Sequence, residues 1–316
     1  MIFRLFKVLA LAALLGHAAA GFAQSYPSRP IQLMVPFDAG SSTDVVARAM
    51  QPTLSAKLGQ SVLVMNKPGA SGTIGAAELA RAQPDGYSIG ILGMGGIAML
   101  PHVRKLTFDL ESFDFLCQIY SAPVIVMVAQ NSPLKDIRAL LDYGKANPEK
   151  LFYGSPGIGT PDHINMANFL RQNGVVGTHV PFQGGGAVSQ ALLSGQITAV
   201  SNTTVLLKAY NLRPLAALTP QRLASLPEVP IAREFGPPVE ASIWAVLAAP
   251  KGLPAAIHAS LEQACRATLE DGAFRTIAER AGFPPYFRDG AAFRTFVGGE
   301  FTRYGTMMKA EGLEFK

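Results

Sequence analysis

The chain has 316 residues, 49% hydrophobic and 16% charged, which is enough apolar surface for about two packed domains and excludes a disordered chain. Its 27 Lys and Arg against 22 Asp and Glu give a formal charge of +5. The basic residues form no block interleaved with aromatics, so nucleic acid has no footprint as a partner.

Residues 1–23 read as a secretory signal peptide. Arg4 and Lys7 precede the apolar run 8–15 and a small-residue segment ending Gly21-Phe22-Ala23, with cleavage expected after Ala23 and Ala20 as a competing site. An uncleaved anchor is the rival reading, but the apolar core falls well short of the ~20 residues that span a bilayer. Removing Arg4 and Lys7 leaves 25 basic and 22 acidic residues, a mature charge of +3.

The mature chain opens on a short apolar run, 31–35, interrupted by Gln32. Pro-Phe-Asp-Ala-Gly-Ser-Ser-Thr-Asp at 36–44 follows, and then Val45, Val46, Ala49, Met50 and Leu54 at helical spacing. This is strand, loop, helix. Gly40 permits a tight turn and Ser41, Ser42 or Thr43 can cap the helix, leaving main-chain N–H groups aimed into the loop, a geometry that holds anions. Pro52 falls inside the helix, where it is expected to kink it, and Gly59 ends it.

A second strand, 62–65, runs into a glycine-rich turn, 66–75, and a helix through about 82. Gln83-Pro84-Asp85-Gly86 is a turn, and a third strand, 87–92, empties into Gly93-Met94-Gly95-Gly96. The β-α-β-α-β order implies a parallel sheet with ligand-accessible loops at the strand carboxyl ends.

Residues 108–118 are mixed, whereas 122–129 are almost purely apolar and read as a strand buried on both faces. A helix follows from Pro133 to Asn147-Pro148. A strand ending at 152–154 opens into a loop at 155–163, Ser-Pro-Gly-Ile-Gly-Thr-Pro-Asp-His, which enters a helix over 164–172. Residues 176–182 are strand-like. Gln183-Gly184-Gly185-Gly186 leads into a helix ending at Ser194-Gly195, and a strand over 197–201 delivers Asn202, Thr203 and Thr204 to its end. A short strand at 215–218 and a proline-held connection at 226–230 precede the second strongly apolar run, 244–249. Three helices close the chain, marked by Ile257, Leu261, Cys265 and Leu269; by Phe274, Ile277 and Ala281; and by Phe293, Phe296, Val297, Tyr304 and Met308. If 122–129 and 244–249 are crossing strands, residues 24–123 with 250–316 form one lobe and 124–249 the other, a clamshell with a cleft at the crossings.

The chain lacks Gly-x-Ser-x-Gly, the Walker spacing, His-Glu-x-x-His and a true Gly-x-Gly-x-x-Gly. Beyond His17 the histidines are scattered with no metal-ligand spacing, so no metal or cofactor is expected. Asp162 and His163 are the best catalytic suspects. The favoured reading makes Asp162 a carboxylate stabilised at a helix start and His163 a polar contact in the same turn. Lys67 reads as a solvated loop lysine. Cys117 in an apolar strand-like run and Cys265 on a helical face could pair in an exported protein, but two buried, unpaired thiols are expected. What remains is a set of strand-to-helix loops rich in hydroxyls and free N–H groups, suited to a carboxylate.

Several stretches are recognisable together. They are Tyr26-Pro27-Ser28-Arg29-Pro30-Ile31, Val35-Pro36-Phe37-Asp38-Ala39-Gly40 with Asp44, Asn66-Lys67-Pro68-Gly69-Ala70-Ser71-Gly72, and Pro84-Asp85-Gly86-Tyr87. Ala146-Asn147-Pro148, Tyr153-Gly154-Ser155-Pro156-Gly157-Ile158-Gly159-Thr160 with His163, Val180-Pro181-Phe182-Gln183-Gly184, Leu226-Pro227-Glu228-Val229-Pro230 and Ala248-Ala249-Pro250 follow. In this set the chain resembles the Bug family of periplasmic solute receptors, the binding proteins of tripartite tricarboxylate transporters. The resemblance implies an α/β, two-lobed class II periplasmic-binding-protein fold with two crossing strands. It also implies a periplasmic location, a small carboxylate as ligand, integral-membrane transporter subunits as partners, a monomer, and no catalysis. Ligand contacts are then expected from Phe37, Gly40, Ser41, Ser42 and Thr43 on one side and from Ser155, Gly157, Ile158, Gly159, Thr160 and His163 on the other, with Met94, Phe182, Asn202 and Thr203 completing the set. Asp44 matches a family aspartate and reads as the carboxylate that organises the first loop.

Three departures stand out. Ser41 replaces the usual second glycine of the first loop, Thr198 replaces an aspartate, and residues 203–213 run about three residues short of the family pattern. Asp38 places a negative charge in a carboxylate loop, and the favoured reading turns it outward, because desolvating an unpaired carboxylate is costly. A sensor that signals to a partner, and a secreted enzyme using Asp162 and His163, are the alternative outputs.

Overall fold

The structure, a computed structural model, describes residues 26–313, and the signal-peptide reading of 1–23 lies outside them. The chain begins with β1 (Ile31–Val35), in which only Gln32 is exposed. Helix α1 (Ser42–Leu58) follows. Its N-terminus is capped by Ser41 Oγ, which accepts from the Asp44 N–H, and its C-terminus by Gly59 in the left-handed region at φ 66°. The helix runs unbroken through Pro52.

Next come β2 (Val62–Asn66), α2 (Thr73–Arg81) and β3 (Ser88–Gly93), with β1 lying parallel between β2 and β3. The Gly93–Gly96 stretch, expected as a loop, instead winds into a wide helical turn over Gly95–Met99 whose Ile97, Ala98 and Met99 are buried. Apolar side chains just beyond the glycines draw the backbone into the core.

An eleven-residue strand, β4 (Phe113–Pro123), then enters the same sheet. Its sequence is mixed because Asp114 is recruited by the Lys251 ammonium and the Gly252 N–H at one end, while Gln118 and Ser121 interrupt the rest. The sheet is completed by β10 (Ser242–Pro250) and the unforeseen edge strand β11 (Pro285–Asp289), in the order β11-β4-β10-β3-β1-β2. Pro285 cannot donate to a ladder and hides this strand from sequence patterning.

The second lobe contains β5 (Ile125–Val128), α3 (Ile137–Ala146), β6 (Leu151–Ser155), α4 (Pro161–Gln172), β7 (Gly177–Pro181), α5 (Gly185–Leu193), β8 (Val200–Asn202), α6 (Thr204–Ala209) and β9 (Arg213–Ala217). Strands β8-β5-β9 form one sheet and β6-β7 another. A parallel bridge between Tyr153 and Ala199 joins them into one layer, β7-β6-β8-β5-β9. Ile137, Leu140, Phe169 and Leu170 pack on one side of it, and Val188, Leu192 and Leu207 on the other. Burying each such side chain contributes roughly 1.5–3 kcal/mol.

The chain passes between the layers twice, and the two passages lie side by side. Val124 N–H donates to Ala241 O at 3.3 Å, Leu218 N–H to Val124 O at 2.8 Å, and Ala241 N–H to Leu218 O at 2.8 Å. These are the two crossing strands of a two-lobed α/β fold.

Helices α7 (Ala255–Glu270) and α8 (Gly272–Arg280) return to the first sheet, where Leu261, Leu269 and Phe274 share a core with Met50 and Leu54 of α1. The last helix, α9 (Gly290–Ala310), covers the other face through Phe293, Val297 and Tyr304, which pack with Trp244. Its far end reaches α4, where Tyr304 OH donates to Asn165 Oδ1 at 3.3 Å.

The two cysteines are not the buried, unpaired thiols expected of them. Cys117 of β4 and Cys265 of α7 are joined in a disulfide, with Cα atoms 6.6 Å apart and a separation of 148 positions in sequence. The sequence placed each on an apolar face but held no cue that α7 lies over β4 at that position.

Candidate ligand-binding site

The first loop is built around a buried carboxylate. Asp44 Oδ2 accepts from the Gly40 N–H at 2.8 Å and from Arg48 Nε at 2.9 Å, and Oδ1 accepts from Asn66 Nδ2 at 2.9 Å. Asn66, at the end of β2, also donates to Phe37 O at 3.0 Å, so one amide ties both ends of the 37–44 turn. Burial alone would raise the Asp44 pKa, but hydrogen bonds from Arg48, Gly40 and Asn66 outweigh it and hold the carboxyl below its ordinary value.

Gly40 supplies the one positive φ of the turn, 82°, while Ser41 is extended at φ −65°. The serine that replaces a family glycine is therefore unstrained and serves as the helix cap. Asp38 is exposed, and its carbonyl accepts from the Ser41 N–H at 3.1 Å. Phe37 is half-buried and packs toward Gly72. Lys67 Nζ is held by Glu78 at 3.0 Å.

Thr43 links this loop to Tyr120 of the crossing strand, whose phenol burial pushes up to about 12 against a lowering by the Thr43 side chain. Five residues further along the chain, Ile125 of β5 pairs with Asn202 at the end of β8. About 17 Å of extended chain thus separates an anchor of the first loop from the strand end beside the second.

The second loop is an imidazole-braced turn. Ser155 is fully buried, and its hydroxyl donates to Gly157 O at 2.7 Å. With that proton committed, His179 Nε2–H is the donor in the 2.7 Å contact with Ser155 Oγ. His163 Nδ1 accepts from the Gly159 N–H at 3.0 Å, which places its own proton on Nε2. The two imidazoles stack with centroids 3.6 Å apart and planes 11° apart. Burial lowers both to about 4, and His179 beside it adds to the lowering at His163.

Thr160 caps α4 by accepting from the His163 N–H and donates to Gly157 O at 2.8 Å. Gly157 and Gly159 take φ 151° and 75°, which leaves Ile158 at the tip, 64% exposed. Phe182 N–H donates to Ser155 O at 2.9 Å and closes the turn from the β7 side.

Asp162 does not touch His163 through a hydrogen bond. Its Oδ2 accepts from Asn202 Nδ2 at 2.8 Å, and Asn202 Oδ1 accepts from the Thr203 N–H at 2.7 Å. Burial raises the Asp162 carboxyl to about 7, against the lowering by Asn202. Asp162 is thus a buried brace between α4 and β8, and His163 offers its Nδ1 to the loop backbone, so the pair is not arranged as a base and its orienting carboxylate. Thr203 is buried, as is Met94, which packs in the core beneath the 95–99 turn. Ser42 is the first residue of α1.

Sequence reading missed His179, Tyr120 and the clamping role of Asn66. His179 becomes visible only through the β6–β7 register, which sets it opposite Tyr153.

The linked titrations have opposite signs. His163, with a folded pKa below its unfolded one, contributes stability that is present above about pH 6.5 and lost as pH falls through about 4. Asp162, with a folded pKa above its unfolded one, contributes stability that is present below about pH 3.8 and lost as pH rises through about 7. Asp162→Asn is therefore expected to stabilise the protein at pH 8 by up to about 4 kcal/mol and near pH 4.5 by only about 1 kcal/mol. Urea melts at the two pH values check this, and equal shifts at both would contradict it.

Two α/β lobes joined by two crossing strands, each offering a strand-to-helix loop of capped N–H groups and hydroxyls, define a bilobal solute-binding protein. Residues 46–313 match the tripartite tricarboxylate transporter family receptor, and the chain belongs to that family. Among solved structures, the periplasmic binding protein BugD is 28% identical with a TM-score of 0.76, over 92% of this chain and all of that one. Rpa4515 of R. palustris with adipate is 28% identical, TM-score 0.80, over 92% and 100%. MatC of Rhodopseudomonas palustris with bound malate is 27% identical, TM-score 0.74, over 89% and 99%.

Proposed function

We propose that the exported chain is a non-enzymatic periplasmic receptor that closes its two lobes on a small carboxylate and delivers it to the membrane subunits of a tripartite transporter. The observation that carries this reading is the Asp44–Asn66–Gly40 network, which shapes a capped helix start for an anion without using any cation of its own on the ligand. Adipate in Rpa4515 and malate in MatC support dicarboxylates as the ligand class.

In this reading the ligand sits between residues 37–43 and 155–160, with Phe37, Phe182 and the exposed Ile158 covering its carbon chain. His163, His179 and Asn202 hold the second loop in shape, and Thr203 and Met94 support the walls from the core. The lobes, expected as 24–123 with 250–316 and as 124–249, divide in this reading at the crossings instead, because β10 lies in the first sheet: residues 26–123 with 242–313 form one and 124–241 the other. A few charge-assisted hydrogen bonds at roughly 1.5–3 kcal/mol each account for the ~8 kcal/mol of micromolar binding.

A thermal-shift screen of C4 to C6 dicarboxylates and amino acids tests the reading, since a ligand at 100 times its dissociation constant stabilises by about 2.7 kcal/mol. At least one dicarboxylate is expected to raise the midpoint and to be recovered unchanged. Conversion of the bound compound, abolished by His163→Ala, would overturn the non-enzymatic assignment.

A further inference from the structure

The first sheet ends in β2, which among the described residues pairs only with β1. In that register Leu63 stands opposite Gln32 and Met65 opposite Met34, so all four lie on one face of the sheet. Leu63 and Met65 are 45% and 40% exposed on this edge strand. Helix α2 and residues 104–108 flank the same face and enclose with it a groove of about 810 Å³, whose lining includes Met34, Ala77, Phe108 and the exposed Ile74. Met34 and Phe108, 6% and 8% exposed, form its floor, so the apolar groups left in water are Ile74 on its wall and Leu63 and Met65 on the strand edge beyond it, a combination costly to leave uncovered.

The rim of the groove is cationic. Arg81, Arg104 and Lys105 line it with a single carboxylate, Glu78, and that carboxylate is already held by Lys67 at 3.0 Å. Arg81 donates to the Thr107 hydroxyl at 3.2 Å, and no carboxylate among the described residues pairs with Arg81, Arg104 or Lys105. Three uncompensated positive charges therefore ring an apolar floor in a mature chain whose whole expected surplus is +3. The groove takes no part in the candidate carboxylate site, which is built from the 36–44 and 155–163 loops.

We propose that this groove is the docking surface for an acidic, apolar-bearing loop on the periplasmic face of the transporter's membrane subunit. The inference rests on the receptor reading above. Charge complementarity identifies the occupant. Membrane proteins keep their excess Lys and Arg on cytoplasmic loops, so the outward loops of such a subunit are poor in cations. The cationic rim steers and registers that face, the apolar floor takes up its hydrophobic side chains, and the free edge of β2 can add an extended segment by backbone pairing.

The test is binding of the full-length mature receptor to nanodiscs that carry the membrane subunits, against empty nanodiscs of the same anionic lipids, at low and high salt. Three proteins are compared. These are the wild type, the rim variant Arg81→Glu/Arg104→Glu/Lys105→Glu, and a control, Arg138→Glu/Lys145→Glu/Lys150→Glu, which makes the same charge change at exposed positions of the other lobe. Circular dichroism melts and the dicarboxylate thermal shift confirm that each is folded and ligand-competent.

The rim variant is expected to bind the subunit-bearing discs at least about tenfold more weakly than wild type and to lose its salt dependence, while the control stays within about twofold. Equal binding by wild type and rim variant would overturn the docking surface and leave the receptor reading standing. Equal binding of wild type to empty discs would assign the groove to the lipid surface instead. No binding of the ligand-competent wild type to either disc would overturn both the docking surface and delivery to the transporter.

Discussion

Removing the Cys117–Cys265 crosslink is expected to lower stability by about 5 kcal/mol, the loop-closure entropy of a span of roughly 150 residues released into the unfolded chain. Cys117→Ala/Cys265→Ala should unfold on the order of 10 °C below wild type, and wild type unfolded and melted in reductant should converge on the variant. The bond ties β4, the strand that continues into the second lobe, to α7, which backs α1 and hence the first loop. Both attachment points lie within the first lobe's core, so dicarboxylate affinity should stay within about twofold. Two titratable thiols in the unreduced, unfolded protein, or an unchanged melt on reduction, would contradict the linkage.

Asp44→Ala should have the largest effect on the site itself. It removes the buried acceptor shared by the Gly40 N–H, Asn66 Nδ2 and Arg48. A loss of about 1.5–3 kcal/mol in stability is expected, since charge-assisted hydrogen bonds to a buried carboxylate disappear. A loss of at least tenfold in dicarboxylate affinity should accompany it, because the loop no longer presents its N–H groups in one geometry. The pH dependence follows from the lowered carboxyl. Its contribution is present above the unfolded carboxylate value of about 3.9 and is lost as pH falls through the folded one. The difference between wild type and variant should therefore shrink in acid. Asn66→Ala, which removes the clamp and keeps the charge, should weaken binding in the same direction with a smaller loss of stability. Calorimetric titration and urea melts read the two quantities apart, and a variant with wild-type affinity would remove Asp44 from the account of the loop.

The parts of the fold that rest on local chemistry were legible in the sequence. Gly40, Ser41 and Gly59 each act as their residue type dictates, as turn, cap and stop, and the apolar runs at 122–129 and 244–249 are buried strand segments, the first spanning the passage from β4 to β5 and the second lying in β10 just after the passage at Ala241. Asp44 was read as the organiser of its loop, and it is.

What escaped depends on distant pairing. Cys265 meets Cys117 only because α7 lies over β4, His179 meets His163 only through the parallel register of β6 and β7, and Tyr120 reaches Thr43 from a different strand. No local spacing encodes these meetings. The edge strand β11 escaped for another reason. It is half-exposed and starts with a proline, so neither an apolar run nor alternation announces it. Asp162 and His163 show the converse, adjacent residues whose partners are Asn202 and the Gly159 N–H rather than each other.

The central claim is that one carboxylate is held jointly by the 36–44 and 155–163 loops. Backbone amide hydrogen exchange with and without a saturating dicarboxylate tests it most directly, because each loop would present N–H groups to the same ligand. Protection is expected at residues 38–43 and 157–160 together, with no comparable change in the groove beside β2. Protection of one loop alone, or of neither while the ligand demonstrably binds, would contradict the account.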